Sequence, residues 1–279
     1  MKNTSPPSLR SLSNKGFTLV ELMVAMVLTT IIGAVLYTSF TSQQRIYTTQ
    51  GQVVEMQQNI RAAMAVLARE IMLAGYDPEN TGAFGITDIA NNTITFNIDK
   101  DSNGELDDDE TITYDLFDSP ADTISEQDGI LDLGRQEPNN LVDSNFKLVA
   151  ESINAMAFAY AFDDDGDGVL DTIGGQTVWA IDSDGDGRLD TTLDTSSPAD
   201  PTSPDGLITL DDVEGGSPLG FTVPMSSIRA VKVWILARTK MTNIKLNTTE
   251  TFVVGDSHIT PADDSRHRLL ATTILCRNT

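Results

Sequence analysis

Residues 15–40 read KGFTLVELMVAMVLTTIIGAVLYTSF, and within them Phe17 to Phe40 form a run of 24 residues whose only charge is Glu21. As a helix this run spans ~36 Å at ~1.5 Å per residue, enough to cross a ~30 Å hydrocarbon layer. Residues 1–16 carry Lys2, Arg10 and Lys15 and no acid. A positive flank of this kind stays on the cytoplasmic side, so the bulk of the chain is expected across the membrane. An ordinary secretory signal has a shorter apolar core followed by a small-residue cut site, and neither is present. A carboxylate within an apolar span is costly and calls for a partner or a task. Glu21 lies four residues past Phe17, where the positive end of the helix also gives it a home at headgroup level.

The helical signal continues beyond the span. Met56, Ile60, Met64, Leu67 and Ile71 recur at spacings of 4, 4, 3 and 4, with Arg61, Arg69 and Glu70 on other faces, which is the pattern of a helix laid against a core. Gly75 suits a left-handed cap and Pro78 cannot continue the helix, so one helix is expected from about Phe17 to about Ala74. The remainder reads as strands. Segments 92–98 and 110–116 alternate Ile94, Phe96, Ile98 and Ile112, Tyr114, Leu116 on one face, predicting a hairpin. Segment 153–162 sets Met156, Phe158, Tyr160 and Phe162 against a face of Ala155, Ala157, Ala159 and Ala161. Such an alanine face admits close packing, and the helix is the expected occupant. Segments 228–238, 251–255 and 266–276 complete an expected antiparallel sheet, and Thr195 to Pro204 is a Pro/Ser-rich connection.

Lys15, Gly16, Phe17 and Glu21 together resemble the class III signal of type IV pilins and pseudopilins: a basic leader, glycine before the cut, an aromatic first mature residue, and glutamate fifth after it. VLAREIMLAGYDP (66–78) and the closing strand ending Cys276-Arg277-Asn278 are similar to PilW-type minor pilins. The resemblance implies cleavage between Gly16 and Phe17 by a prepilin peptidase/methyltransferase in the inner membrane and N-methylation of Phe17. It also implies pairing of Glu21 with the N-terminal amine of a neighbouring pilin subunit. No proline occurs between Phe17 and Gly75, so the kink of many major pilins is not forced here. The expected organisation is a leader (1–16), a transmembrane and polymerisation half-helix (17–40), an amphipathic half-helix (41–75) and a β-rich periplasmic head (76–279). That is an α+β pilin fold with a long N-terminal helix packed on an antiparallel sheet.

The head is strongly acidic. Between Asp77 and Glu214 lie 34 of the 41 acidic residues and 4 of the 18 basic ones, in a chain of formal net charge −23. Such a density repels itself unless cations sit within it. Two ladders, Asp163-Asp165-Asp167-Gly168-Asp171 and Asp182-Asp184-Asp186-Gly187-Asp190, place carboxylates at positions 1, 3, 5 and 9 with glycine at 6. This is the spacing of a calcium loop, in which position 7, here Val169 and Arg188, offers a backbone carbonyl. Both lack glutamate at position 12, where Gly174 and Leu193 stand, so a water or a distant acid is expected to complete the shell. A third loop, DKDSNGELDDDE, offers Asp99, Asp101 and Asn103 and does carry Glu110 at position 12, but between strands rather than helices. Two or three Ca²⁺ ions are expected, although Asp, Asn and Gly also favour plain solvated turns.

Other functions find little support. Nucleic-acid binding needs clustered Lys/Arg and is disfavoured by pI ≈ 4.1. His258 and His267 are isolated, no nucleophile–base arrangement or phosphate-cradling loop can be placed, and no enzymatic activity is expected. The lone Cys276 reads as a buried strand residue. The expectation is a minor pilin that primes or joins a type IV pilus. Two alternatives stay open at this point: a minor pseudopilin of a type II secretion system, and a calcium-dependent adhesin at a pilus tip, reaching the cell surface after assembly.

Overall fold

The computed structural model describes residues 16–118, 130–137, 146–173, 175–193, 196–197, 200–204, 217–240 and 250–278. The expected leader lies outside them except for Gly16. One helix, α1 (Leu19–Ile71), leads the chain. It is followed by β1 (Ile86–Ile89), β2 (Ile94–Asn97), β3 (Thr111–Phe117), β4 (Leu131–Gln136), β5 (Lys147–Phe162), β6 (Thr172–Ile173), β7 (Gln176–Thr177) and β8 (Ala180–Ile181). Then come β9 (Thr191–Thr192), β10 (Ser196–Ser197), β11 (Asp200–Pro204), β12 (Ser217–Pro218), β13 (Ile228–Arg238), β14 (Phe252–Val254), β15 (Ser257–Ile259) and β16 (His267–Leu275). The chain divides into two units, one ending at Gln50 and the other beginning at Gly51.

In the first unit α1 is rich in Leu, Met, Val and Ala and free of proline, which favours helix throughout. Its large apolar side chains are exposed all round, from Val24 at 53% to Leu19 at 73%. By length and composition this helix is long and apolar enough to cross a membrane.

In the second unit the helix changes character. Met56, Ile60, Ala63, Met64, Leu67 and Ile71 are buried, and they share one core with Phe96, Tyr114, Leu133, Phe158, Tyr160, Val231 and Ile235. Burial on the scale of Leu67, fully inaccessible, is worth roughly 1.5–3 kcal/mol per side chain. The helix ends by tightening: Leu73 N–H donates to the Glu70 carbonyl and Ala74 N–H to that of Ile71. Gly75 then takes φ 74°, the left-handed geometry glycine adopts at least cost.

The main sheet has ten strands. Its path runs β1-β2-β3-β4-β5-β8-β9-β12, and β13 adds to β5 and β16 to β13. The β2–β3 hairpin forms with Ile94 opposite Tyr114 and Phe96 opposite Ile112. Two expectations are corrected. The helix does not cover the alanine face of β5; it packs on the face of Met156, Phe158, Tyr160 and Phe162. Ala157, Ala159 and Ala161 instead lie under Trp179, Trp234, Leu236 and Val254. Close approach is indeed what the alanines permit: a Cβ on Gly255, in the β14–β15 turn, would sit 2.8 Å from the Cβ of Ala157. Segment 251–255 accordingly belongs to a separate β14–β15 hairpin and not to the main sheet. The Thr195–Pro204 connection contains the short β10–β11 pair, and Cys276 is buried just past β16.

An ion-pair chain ties helix to sheet. Glu70 Oε2 accepts from the Tyr114 hydroxyl at 2.7 Å and from Arg135 Nε at 2.8 Å. Arg135 Nη2 reaches Glu137 Oε1 at 2.7 Å, where Lys100 Nζ also donates at 2.8 Å. The Arg135 hydrogen bond, reinforced by Lys100 against the opposing effect of burial, holds the Glu137 carboxyl down at about 2. Burial, with Glu70 adding to it, pushes the Tyr114 phenol above its ordinary range. Arg135→Met leaves the largely buried Glu70 without its cation and Glu137 with Lys100 and Lys147 only, an expected loss of about 2–3 kcal/mol, read as a lower melting temperature. Because Glu137 is depressed when folded, its stabilisation is present above the ordinary carboxylate range and is lost as pH falls from about 4.5 towards about 2. Wild type should therefore lose stability over that window more steeply than Glu137→Gln.

Candidate functional site

At the membrane end, Thr18 is the N-cap of α1. Its Oγ1 accepts from the Glu21 N–H at 3.2 Å, while Glu21 Oε2 accepts from the Thr18 N–H at 2.9 Å and hydroxyl at 3.0 Å. This reciprocal capping box gives the lone carboxylate of the span a partner inside its own chain. Among the described residues Oε1 of Glu21 takes no bond. Phe17 is 91% exposed, so the Gly16–Phe17 peptide leads into the helix unobstructed.

Each of the three acidic segments is a loop closed by a backbone hydrogen bond between its two ends, and two of them, 99–110 and 182–190, connect paired strands. Asp171 N–H donates to the Phe162 carbonyl, Asp190 N–H to that of Ile181, and Ile98 N–H to that of Glu110. Residues 163–171 and 182–190 are thus nine-residue loops, the latter between paired β8 and β9, and 99–110 is a longer loop between β2 and β3. The strand returns at position 9, which is the physical reason no position-12 glutamate is needed in the first two.

Inside each loop one pattern repeats. The first carboxylate is buried, Asp163 at 4%, Asp182 at 1% and Asp99 fully. It accepts the N–H groups four and five residues on: Asp167 and Gly168 at 3.1 and 3.0 Å, Asp186 and Gly187 at 3.2 and 2.9 Å, Asn103 and Gly104 at 3.2 and 3.1 Å. The third-position carboxylate accepts the fifth-position N–H at 3.1 Å in every case, through Asp165, Asp184 and Asp101. The turn requires left-handed backbone at positions 4 and 6, supplied by Gly166 and Gly168, by Gly185 and Gly187, and by Ser102 and Gly104. A closing carboxylate then accepts the second-position N–H: Asp171 from Asp164 at 3.1 Å, Asp190 from Ser183 at 3.1 Å, and Glu110 from Lys100 at 2.7 Å. Asp171 and Asp190 therefore stand where Glu110 stands in the longer loop.

Carboxylate oxygens converge within 4.8 Å in three sets: Asp99, Asp101 and Glu110; Asp163, Asp165 and Asp167; Asp182, Asp184 and Asp190. Asp171 and Asp186 lie in the same loops outside these sets. Asn103 instead turns its amide to Asp101 and Asp107. Val169 donates its N–H to Asp167 Oδ1 at 2.7 Å, and Val169 and Arg188 keep their side chains exposed. Burial raises the Asp171 carboxyl, with repulsion from Asp164 and Asp163 adding to it. Burial acts the same way on Asp190, but the hydrogen bonds of Thr191 and Ser183 outweigh it and hold that group low. Among the described residues no Lys or Arg pairs with any loop carboxylate. An all-oxygen donor set with uncompensated charge fits a hard divalent cation.

Two participants were not visible in the sequence. Ser183, at position 2 of its loop, adds a hydroxyl bond to Asp190 at 2.9 Å. Asp88, from β1, lies against the same loop, 3.3 Å from where a Cβ on Gly187 would stand; nothing local in the sequence signals a contact so distant along the chain. Since Asp182 satisfies three loop N–H groups and Asp184 one, Asp182→Ala should cost about 2–4 kcal/mol and Asp184→Ala about 1 kcal/mol. Chemical denaturation in chelator separates these, and equal losses contradict the shared loop geometry.

Comparison with known proteins bears on the N-terminal end. The family model for the prokaryotic N-terminal methylation motif matches residues 12–37. A type IV-like pilin, TTHA1219 from Thermus thermophilus, aligns over 80% of this chain and 96% of its own at a TM-score of 0.40 and 12% identity, too distant a likeness to carry function across. No curated protein matches the chain in sequence. The chain thus carries a prokaryotic N-terminal methylation motif at the head of a long apolar helix, with an antiparallel sheet following it in sequence.

Proposed function

We propose that the protein is a minor pilin: cut between Gly16 and Phe17 by a prepilin peptidase, methylated on Phe17, and held in the inner membrane by residues 17–40 with its head in the periplasm. From there it joins or primes a type IV pilus beside other pilin subunits. The observation that carries this reading is the apolar run 17–40 at the start of α1, its large side chains exposed, with a single carboxylate at its N-terminal turn. Such a segment suits lipid before assembly and neighbouring helices after it. The Glu21 capping box is a resting arrangement, and in the filament the carboxylate turns to a neighbour's amine. Intact-mass measurement of the native protein should give a chain beginning at Phe17 with one added methyl group. A chain retaining residues 1–16 contradicts the assignment. Glu21→Ala should insert in the membrane at least as well as wild type, since it removes a charge from the apolar span, yet crosslink poorly to partner pilins. Undiminished crosslinking means that the carboxylate serves only as a helix cap.

We infer further that the head binds calcium at the three acidic loops. Without the leader, acids outnumber Lys and Arg by 26, and the convergent carboxylates repel one another until a cation enters. At ~100 times the dissociation constant each independent site adds ~2.7 kcal/mol to stability. Millimolar Ca²⁺ should raise the melting temperature by several degrees and Mg²⁺ far less, because Mg²⁺ prefers compact, water-rich octahedral shells. Asp163→Ala with Asp182→Ala should remove most of the rise, whereas Asp164→Ala should not. Identical melting in chelator and calcium refutes the calcium reading and leaves the pilin assignment standing.

A further inference from the structure

Among the described residues the sheet has one long edge without a neighbouring strand. β16 pairs with β13 over nine residues in unbroken register, from Ala230 opposite Leu275 to Arg238 opposite His267, and with no other strand. Cys276 N–H donates to the Arg229 carbonyl and Thr239 N–H to that of Arg266. Carried along the alternation of an antiparallel ladder, these bonds mean that even-numbered residues of β16 bond to β13. His267, Leu269, Ala271, Thr273 and Leu275 therefore turn their N–H and C=O groups outward, and among the described residues these groups take no partner.

Soluble proteins blunt such edges with proline, lysine, bulges or brevity. The other two terminal strands of the sheet follow that rule: β1 has four residues and a register break, and β12 has two residues, one of them proline. β16 has none of these devices, and Leu269–Leu275 is uncharged and contains no proline. Its ends are basic. Arg266, Arg268 and Arg277 are exposed, and among the described residues none forms an ion pair, in a chain with 41 acids to 18 bases.

We propose that β16 receives an extended segment of a partner protein by strand addition, and that this segment is acidic at both ends. The charges select that occupant. In antiparallel self-pairing Arg266 and Arg268 of each copy would come alongside Arg277 of the other, so a second copy is repelled, whereas an acid-flanked strand matches both ends. The proposal is independent of calcium and of the pilus assignment.

The test uses the full mature chain in detergent and two synthetic peptides. One is an alternating threonine–valine strand with two acidic residues at each end; the other carries lysine at those four positions. The acidic peptide should bind and slow hydrogen exchange at Leu269, Ala271, Thr273 and Leu275, with the lysine peptide at least about tenfold weaker. Thr273→Pro removes only an outward N–H, so it should abolish binding while melting stays as in wild type. Should that variant melt early, Arg268→Glu with Arg277→Glu serves instead and should invert the preference between peptides. Equal binding of the two peptides, no binding of the acidic one at about millimolar concentration, or dimerisation through β16 without peptide would each overturn the proposal.

Discussion

A carboxylate buried at the mouth of a tight loop is the constraint on which the head depends. Asp99, Asp163 and Asp182 are withdrawn from water, and among the described residues no Lys or Arg pairs with them. Burying a charge is costly unless it is hydrogen-bonded or coordinated. The chain meets that demand locally, by winding the following five residues so that backbone N–H groups point at the carboxylate. That winding requires left-handed backbone at two positions, hence the glycines, and Ser102 at φ 61° where the longer loop lacks one. The acids at positions 3 and 9, or at 12 in the longer loop, are then drawn in as a consequence of the winding. One local rule thus produces three similar clusters of hard oxygen donors at three places in one sheet.

The sheet that presents these loops is held from both sides. On one face the Met56–Ile71 stripe of α1 packs against the large residues of β5 and β13, and the Glu70–Arg135–Glu137–Lys100 chain links it to the first loop, since Lys100 is also the residue whose N–H closes on Glu110. On the other face the alanines of β5 admit Trp179, Trp234 and the β14–β15 hairpin. There Lys232 sets its ammonium 5.5 Å from the Trp179 ring and 5.2 Å from the Trp234 ring, a cation–π contact that keeps a half-buried charge without an acid. Burial lowers the pKa of that lysine.

The parts of this architecture written as short-range periodicity were legible in the sequence. The spacing of Met56, Ile60, Met64, Leu67 and Ile71 identified the buried face of the helix, and the alternation in 92–98 and 110–116 identified the β2–β3 hairpin, because each pattern reports which side of an element meets water. What occupies the far side of a strand is not so encoded. The alanine face of β5 announced close packing, but its partners come from about 20 to 100 residues further on. The acidic ladders were legible as candidate ligand sets, while the manner of their closure was not. It follows from the strands on either side returning at position 9, and Asp88 joins from β1 by tertiary folding alone.

The claim that most needs a direct measurement is that the convergent carboxylates exist to hold cations. Native mass spectrometry of the mature chain, released from detergent after equilibration with calcium, counts bound ions without reference to stability or assembly. The account predicts three Ca²⁺ ions per chain, with one lost in each of Asp99→Ala, Asp163→Ala and Asp182→Ala. A chain that carries no calcium beyond the level seen for the triple variant would contradict it and reduce the three loops to acidic turns.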